Sequence, residues 1–363
     1  MKIMTILGTR PEIIRLSLVM TKLDQYADKH IMVHTGQNYT ESLSGQFFRQ
    51  LGLRAPDYVL QQKAGTLGQQ LSAMFGQMET ILHQEQPDQV LLLGDTNSAL
   101  CAVLAERLGF PVVHMEAGNR CFDLTVPEEK NRRVIDAISS INMPYTEQSK
   151  QNLLREGFPV QRIVRTGNPI YEVMKHYESD IQGSRILDIM GLSKGDYCIV
   201  TAHRAENVDD PVHLAAILDG LNKVAASSGK RMLCSIHPRT AARIAASPSM
   251  TQHPLVEFHE PFGFFDFVQL EAHAWCALTD SGTVQEECCI LGVPTVTMRK
   301  TTERPETVDC GSNVISGLDG DAIAEAVSIM TSLPQSWKCP EGYLAKDVSD
   351  IVVKYVLGGK RRV

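Results

Sequence analysis

Short apolar runs recur along the chain, each closed by a polar loop and followed by residues at helical spacing. Residues 2–7 (Lys2-Ile3-Met4-Thr5-Ile6-Leu7) form the first run. Gly8-Thr9-Arg10 closes it and Pro11 opens a helix, where proline fits the first turn. Residues 30–34, 89–93 and 112–115 repeat the pattern, the last two closed by Gly94-Asp95-Thr96 and Glu116-Ala117-Gly118. A second series runs through 197–201, 231–235 and 275–279, closed by Ala202-His203-Arg204, His237-Pro238-Arg239 and Asp280-Ser281-Gly282-Thr283. Runs of strand length alternating with helices predict α/β architecture with parallel sheets covered on both faces. Two such series predict two Rossmann-like domains, residues 1–168 and 169–343, with a hinge within 166–171. A last helix, 344–356, is expected to cross back, so that 344–363 packs on the first domain. No internal repeat or low-complexity tract interrupts the scheme.

Composition narrows the class. The chain has 363 residues, more than one compact core usually serves. Hydrophobic residues make up 43% and charged residues 21%, ordinary for a globular protein. A formal charge of -7 argues against a nucleic-acid partner, which calls for a basic face. No apolar run reaches membrane-spanning length, and residues 1–7 read as a strand rather than a signal peptide. The nine cysteines are odd in number, without CxxC spacing, and mostly in apolar segments. They read as reduced core thiols of a cytoplasmic protein, with no structural metal site.

The polar clusters fall after apolar runs, at the strand edge where open α/β sheets bind ligands. Ser281 and Gly282 offer backbone N–H groups at a helix start, an anion site, and Glu287 further along that helix suits ribose hydroxyls. Asp280 and Ser281 also fit a plain N-cap. Arg10 suits a diphosphate, or is a solvated loop arginine. Neither GxGxxG after the first run nor GxxxxGK[ST] occurs, which disfavours nicotinamide and P-loop chemistry. Asp95 and Glu116 directly follow buried runs and Glu128 starts a helix. Carboxylates so placed suit acid–base work at carbon, although Asp95 also fits a turn and Glu128 a first helical turn. Two His/Arg loops, at His203-Arg204 and His237-Pro238-Arg239, suit phosphate contact.

This ordered set resembles the non-hydrolysing UDP-N-acetylglucosamine 2-epimerases. The resemblance rests on Gly8-Thr9-Arg10-Pro11-Glu12, Thr35-Gly36-Gln37, Gly94-Asp95, His114-Met115-Glu116-Ala117-Gly118, Pro127-Glu128-Glu129 with Asn131-Arg132, and Thr166-Gly167-Asn168. It continues through His203-Arg204 with Glu206-Asn207, Thr279-Asp280-Ser281-Gly282, and Thr301-Thr302-Glu303-Arg304-Pro305-Glu306. It implies a GT-B-type fold, two Rossmann-like domains facing a cleft, with UDP mainly on the second. It assigns Asp95, Glu116, Glu128 and His203 to catalysis. It assigns Arg10, Arg15, Gln37, Arg132, His237, Ser281, Gly282 and Glu287 to substrate binding. Departures at Arg15, Gly118-Asn119-Arg120-Cys121-Phe122-Asp123, Ala205, Thr283 and Gly263-Phe264-Phe265-Asp266 look more like one branch of the family. That branch converts UDP-2-acetamido-2,6-dideoxy-L-talose to UDP-N-acetyl-L-fucosamine for surface polysaccharide.

The C2 proton of such a sugar is not acidic, because no carbonyl adjoins it. The family's implied solution is to eliminate UDP, leaving a glycal, and to re-add it after reprotonation on the opposite face. That needs a held diphosphate and acid–base groups, and neither metal nor redox cofactor. The expected partners are a UDP-sugar and a second copy of the chain in a homodimer, with no membrane. A glycosyltransferase of the same fold, a hydrolysing epimerase and a non-catalytic nucleotide-sugar sensor are the rival readings.

Overall fold

A computed structural model describes residues 1–37, 45–61, 65–236, 240, 243–244 and 252–358. The chain divides into two compact units, Met1–His176 with Glu341–Val363, and Tyr177–Pro340. No helix among the described residues is long and apolar enough to cross a membrane.

The first unit holds strands β1 (Lys2–Leu7), β2 (Lys29–His34), β3 (Tyr58–Val59), β4 (Gln89–Leu93), β5 (Val112–Met115) and β6 (Ile141–Met143). All pair in parallel, in the order β3-β2-β1-β4-β5-β6. The strands are nearly continuous apolar runs because both sheet faces are covered. Met4, Ile6, Ile31, Val33 and Leu92 pack against Met78 and Leu82 of helix Leu67–Glu85 and Ala102 and Ala105 of helix Cys101–Arg107. Each fully buried Leu or Ile contributes about 1.5–3 kcal/mol.

The second unit repeats the plan with β7 (Tyr197–Thr201), β8 (Arg231–Ser235), β9 (Val256–His259), β10 (Cys276–Thr279), β11 (Thr295–Thr297) and β12 (Asn313–Ile315). Their order is β12-β11-β10-β7-β8-β9, again all parallel. Alternate residues of β7 serve opposite faces. Cys198 and Val200 join Leu218, Val224 and Ile323, whereas Tyr197 and Ile199 join Val284 and Cys288. Counted within each unit, both sheets read 3-2-1-4-5-6, the doubly wound order. The two Rossmann-like domains expected from the sequence are present.

Two boundaries differ from expectation. Helix Pro169–His176, which the sequence reading gave to the second domain, lies in the first unit. It buries Ile170 and Val173, and Glu172 accepts hydrogen bonds from Ser349 N (2.8 Å) and Oγ (2.5 Å). The last helix is Val348–Gly358 rather than 344–356. Its first turn is set by Asp347, whose carbonyl accepts from Ile351 N at 3.0 Å. Lys22 bonds Ser349 and Asp350 and holds this helix to helix Arg10–Tyr26.

In a doubly wound sheet the crossovers run in opposite directions from the two central strands, so loops diverge at their C-terminal ends. Between β1 and β4 the gap is bridged by Glu12, only 2% exposed. Its Oε2 accepts from Gly8 N (2.6 Å) and Thr9 N (2.7 Å), and its Oε1 accepts from Thr96 Oγ1 (2.7 Å). Burial pushes this carboxyl up to about 7, against the lowering effect of those hydrogen bonds. After β5, Gly118 sits at φ +80°, and a Cβ there would meet Ser149 O at 2.2 Å. Asp136 and His114, both fully buried, fix this turn. His114 Nε2 donates to Gly94 O (2.9 Å), its Nδ1 lies 2.8 Å from Asp136 Oδ1, and Gly118 N donates to Asp136 Oδ2 (3.1 Å). Burial pushes the Asp136 carboxyl up, but His114 and the Arg120 guanidinium outweigh it and the net shift is down.

Gly118→Ala is therefore expected to lower unfolding free energy by roughly 2–4 kcal/mol, combining left-handed strain with overpacking. Urea denaturation measures this, and an unchanged midpoint would remove the close approach. The Glu12 shift gives a pH dependence. Its folded value lies above the ordinary 4.5, so the folded chain holds the extra proton between the two values. Its contribution is complete below pH 4.5 and is lost as pH rises through about 7. The stability of the native chain relative to Glu12→Gln should fall by up to ~3 kcal/mol between about pH 4.5 and 8, whatever the offset at either end. A difference that is flat or grows with pH would contradict a buried, proton-retaining Glu12.

Candidate active site

The C-terminal edge of the first sheet gathers an alternating set of charges. Arg10 is the first residue of its helix, and its guanidinium lies 5.6 Å from the Phe47 ring centroid, a cation–π distance. One turn on, Arg15 is buried, and its Nη1 lies 3.0 Å from Glu116 Oε2. Its guanidinium also sits over the Tyr145 ring at 6.0 Å. Glu116 follows β5 with φ +69°, left-handed for a non-glycine residue, and is 8% exposed. Strain of this kind costs of order 1–3 kcal/mol and persists where its surroundings enforce it. Here Glu116 N donates to Met143 O, and Arg15 holds the carboxylate.

Asp95, just past β4, meets a second buried arginine. Arg132 Nε and Nη2 both lie 2.7 Å from Asp95 Oδ2, and Arg132 Nη1 lies 2.9 Å from Glu129 Oε2. Asn131 Nδ2 donates to Asp95 O at 2.9 Å. Arg132, Asn131 and Glu129 share helix Pro127–Ile138, whose second residue is the half-buried Glu128. Gln37 approaches the same edge through Ser98, whose Oγ lies 3.5 Å from Gln37 Oε1 and 2.6 Å from Thr35 Oγ1.

The second sheet's edge is organised by Asp280, fully buried at the end of β10. Its carboxylate accepts from His203 N (3.0 Å), Arg204 N (2.9 Å) and Asn207 Nδ2 (3.1 Å). The His203 ring, half exposed, has Nδ1 3.3 Å from Asp280 Oδ1. Arg204 returns to the edge through Nε to Asp280 O (2.9 Å) and Nη2 to Glu303 Oε1 (3.0 Å). Glu303 is held from its other side by the buried Arg299, 2.8 Å away. A Cβ on Gly282 would meet Glu303 Oε1 at 2.5 Å, so a larger residue there would displace the carboxylate held by Arg204 and Arg299. Ser281 and Gly282 begin helix Gly282–Leu291, with Ser281 Oγ 3.0 Å from Thr283 Oγ1. Glu287 lies on that helix, 6% exposed. Next to it Glu286 Oε1 pairs with Arg304 Nε at 2.6 Å.

The structure thus pairs Asp95 with Arg132 and Glu116 with Arg15, and sets His203 on Asp280, while Ser281 and Gly282 start a helix. His237 lies outside the described residues. Asp280 also fits an N-cap by sequence, but its carboxylate instead turns back to the loop after β7. Glu12, Glu129, Asp136, Glu286 and Arg299 also shape the site, and nothing in the sequence motifs marks them out for it. The spacing of Glu129 with Arg132 and Arg133, three and four apart on a helix, is a local signal for such pairing.

The family described as UDP-N-acetylglucosamine 2-epimerase matches residues 21–356. The UDP-N-acetylglucosamine 2-epimerase of Methanocaldococcus jannaschii is 41% identical over 351 residues, 94% of this chain and 95% of that one. The UDP-2,3-diacetamido-2,3-dideoxy-D-glucuronate 2-epimerase of Pseudomonas aeruginosa is 38% identical over 338 residues, 92% of each chain. A crystal structure of the M. jannaschii UDP-GlcNAc 2-epimerase, in complex with UDP-GlcNAc and UDP, superposes with a TM-score of 0.91 at 38% identity, covering 99% of this chain and 100% of that one. With a doubly wound sheet in each unit and this similarity along nearly its whole length, the chain belongs to the UDP-N-acetylglucosamine 2-epimerase family of isomerases, the UDP-sugar 2-epimerases.

Proposed function

We propose that this chain inverts C2 of a UDP-N-acetylamino sugar by eliminating UDP across C1–C2 and adding it back. The observation that carries the mechanism is the pairing of two carboxylates at one sheet edge, Asp95 with Arg132 and Glu116 with Arg15. The half-buried Glu128 lies in the first turn of the helix that carries Arg132. In this reading the second unit is the UDP-binding domain. The N–H groups at Ser281 and Gly282 take phosphate oxygens, and Glu287 takes ribose hydroxyls. Arg10, Arg15, Gln37, Arg132, His203 and His237 complete the binding set. Cleavage of the C1–O bond puts electrons on the departing UDP and positive charge on the ring. That charge makes the C2 proton removable by a carboxylate. A proton delivered to the opposite face of C2 and re-addition of UDP at C1 complete the inversion. Asp95, Glu116 and Glu128 divide the proton transfers, and His203 sits with the leaving diphosphate, where a ring N–H donates to a phosphate oxygen.

Two sugars are supported by different observations. The similarity to the M. jannaschii enzyme supports UDP-N-acetylglucosamine and its manno epimer. The 118–123 departures support UDP-2-acetamido-2,6-dideoxy-L-talose, and the structure narrows which of them can bear on the sugar. Asn119 is bonded to Ser149, Arg120 to Asp136 and Glu156, Cys121 to Glu129, and Asp123 to Thr125. Phe122 instead stands 67% exposed at φ +58°, a few residues before Glu128. An apolar ring presented there suits a C6 methyl better than a C6 hydroxyl.

The chemistry is tested with UDP-sugar alone in heavy water. Product should carry deuterium at C2 by NMR, and epimerised product without it would rule out elimination. Asp95→Asn, Glu116→Gln and Glu128→Gln should each lower kcat by roughly 10²-fold or more, the scale of positioned acid–base catalysis. UDP affinity, read by calorimetry, should change far less. The sugar is tested by kcat/KM over a panel of UDP-HexNAc and 6-deoxy-HexNAc substrates. Preference for the 6-deoxy-L-talo compound, reduced in Phe122→Ala, is the outcome for the second sugar. Preference for UDP-N-acetylglucosamine, unaffected by Phe122→Ala, assigns the first.

A further inference from the structure

Three cysteines of the second unit converge beside the helix that starts at Gly282. Cys289, 1% exposed, lies two residues after Glu287 on that helix. Its Sγ is 3.8 Å from the Sγ of Cys310, which caps the end of helix Pro305–Asp309. Cys339 Sγ lies 3.5 Å from the carbonyl oxygen of Cys289, which also accepts from Trp337 Nε1 at 3.0 Å. Cys310 is partly exposed, whereas Cys289 is buried. The two sulfurs are in van der Waals contact, and a disulfide length of about 2.05 Å requires an approach of ~1.8 Å. The fold therefore sets one reachable thiol against one sheltered thiol, the arrangement of an attacking and a resolving cysteine.

We propose that Cys289 and Cys310 form an oxidant-reactive dithiol whose substrate class is a hydroperoxide. Cys310 sulfur attacks the distal peroxide oxygen. An S–O bond forms and the O–O bond breaks, so sulfur is oxidised to sulfenic acid while the peroxide is reduced and leaves as water or alcohol. Cys289 sulfur then attacks Cys310 sulfur. The S–S bond forms, the S–O bond breaks, and the released hydroxide leaves as water with the Cys289 proton. The charge pattern favours this direction of attack. The hydrogen bond from Cys289 pulls the Cys310 thiol well below its ordinary value, and the same contact with burial pushes Cys289 up. A thiol reductant reverses the bridge.

The bridge would tie helix Gly282–Leu291 to helix Pro305–Asp309. Those elements already meet at the Glu286–Arg304 pair and where Glu303 lies against Gly282. An approach of the two helices at their Cys289 and Cys310 ends strains that contact, so oxidation should lower epimerase turnover. This consequence rests on the proposed UDP site, whereas the dithiol itself does not.

The test treats the full chain with a few equivalents of hydrogen peroxide, then blocks free thiols and maps peptides by mass spectrometry. Two of the nine thiols should be lost, joined as Cys289–Cys310, and recovered with dithiothreitol. Cys310→Ser should lose thiols at least tenfold more slowly, and Cys339→Ser should behave as the native chain. No bridge, a bridge through Cys339, or equal loss in Cys310→Ser would overturn the proposal. Turnover is read on the same samples and should fall several-fold with the bridge and return on reduction. A bridge with unchanged turnover would overturn the link to the site alone.

Discussion

Where a doubly wound sheet reverses its winding, two neighbouring strand ends lose their covering helices, and the backbone N–H groups there need acceptors. Both units solve this with a buried carboxylate. In the first, Glu12 reaches back from the helix after β1 to the amides of Gly8 and Thr9 and across to Thr96 beyond β4. In the second, Asp280 at the end of β10 reaches across to the amides of His203 and Arg204 beyond β7. One carboxylate comes from the following helix and the other from the neighbouring strand. Either way the two central loops become a single unit. Arg10 and Asp95 flank one such tie, and His203 and Ser281 flank the other.

Around those ties the buried charged groups form alternating sets. Arg132 stands between Asp95 and Glu129, and Glu303 stands between Arg204 and Arg299. Such pairs add little net stability, because desolvation offsets their attraction. Their effect is positional. Removing one member leaves a buried charge uncompensated, at a cost of about 3–5 kcal/mol, so the members hold one another in a single geometry. A guanidinium suits this task better than an ammonium because its fork engages two groups at fixed angles. Arg132 does so with Asp95 and Glu129. Arg15 pairs with Glu116 while its flat face covers the Tyr145 ring.

Much of this was legible in the sequence because strands buried on both faces must be apolar without interruption. Residues 2–7, 89–93, 112–115, 197–201 and 231–235 all coincide with strands for that reason. Polar residues at strand ends were also legible, since little but loop chemistry tolerates Gly-Asp-Thr or Asp-Ser-Gly after such a run. What failed to show was which of those groups turn inward. Glu12 reads like any first-turn helix acid, and only Thr96, 84 residues away, reveals its bridge. Asp280 reads like a cap until the loop after β7 arrives 77 residues earlier in the chain. The edge of the first unit was misplaced because Pro169 announces a new helix without saying what it packs on. Glu172 on that helix meets Ser349, 177 residues further on.

The same distinction governs how far departures from a family pattern speak about substrate. Phe264 is buried, Phe265 stacks near Tyr177 at 5.5 Å, and Asp266 accepts from Ser184 at 2.5 Å, so that stretch is internal packing of the second unit. Asn119 is 3% exposed and takes its hydrogen bond from Ser149, on the helix that also forces Gly118 to be glycine. The Asn119 side chain is therefore part of the packing of that turn. Arg120 is spent on Asp136 and Glu156, both of which hold the turn after β5. These positions form one packed unit around the turn after β5. Under the proposed function, a residue of this segment that bears on the sugar is one whose side chain stays outside that packing. In the 118–123 segment Phe122 is such a residue: its backbone is left-handed and its ring 67% exposed, whereas Asn119 and Arg120 are buried.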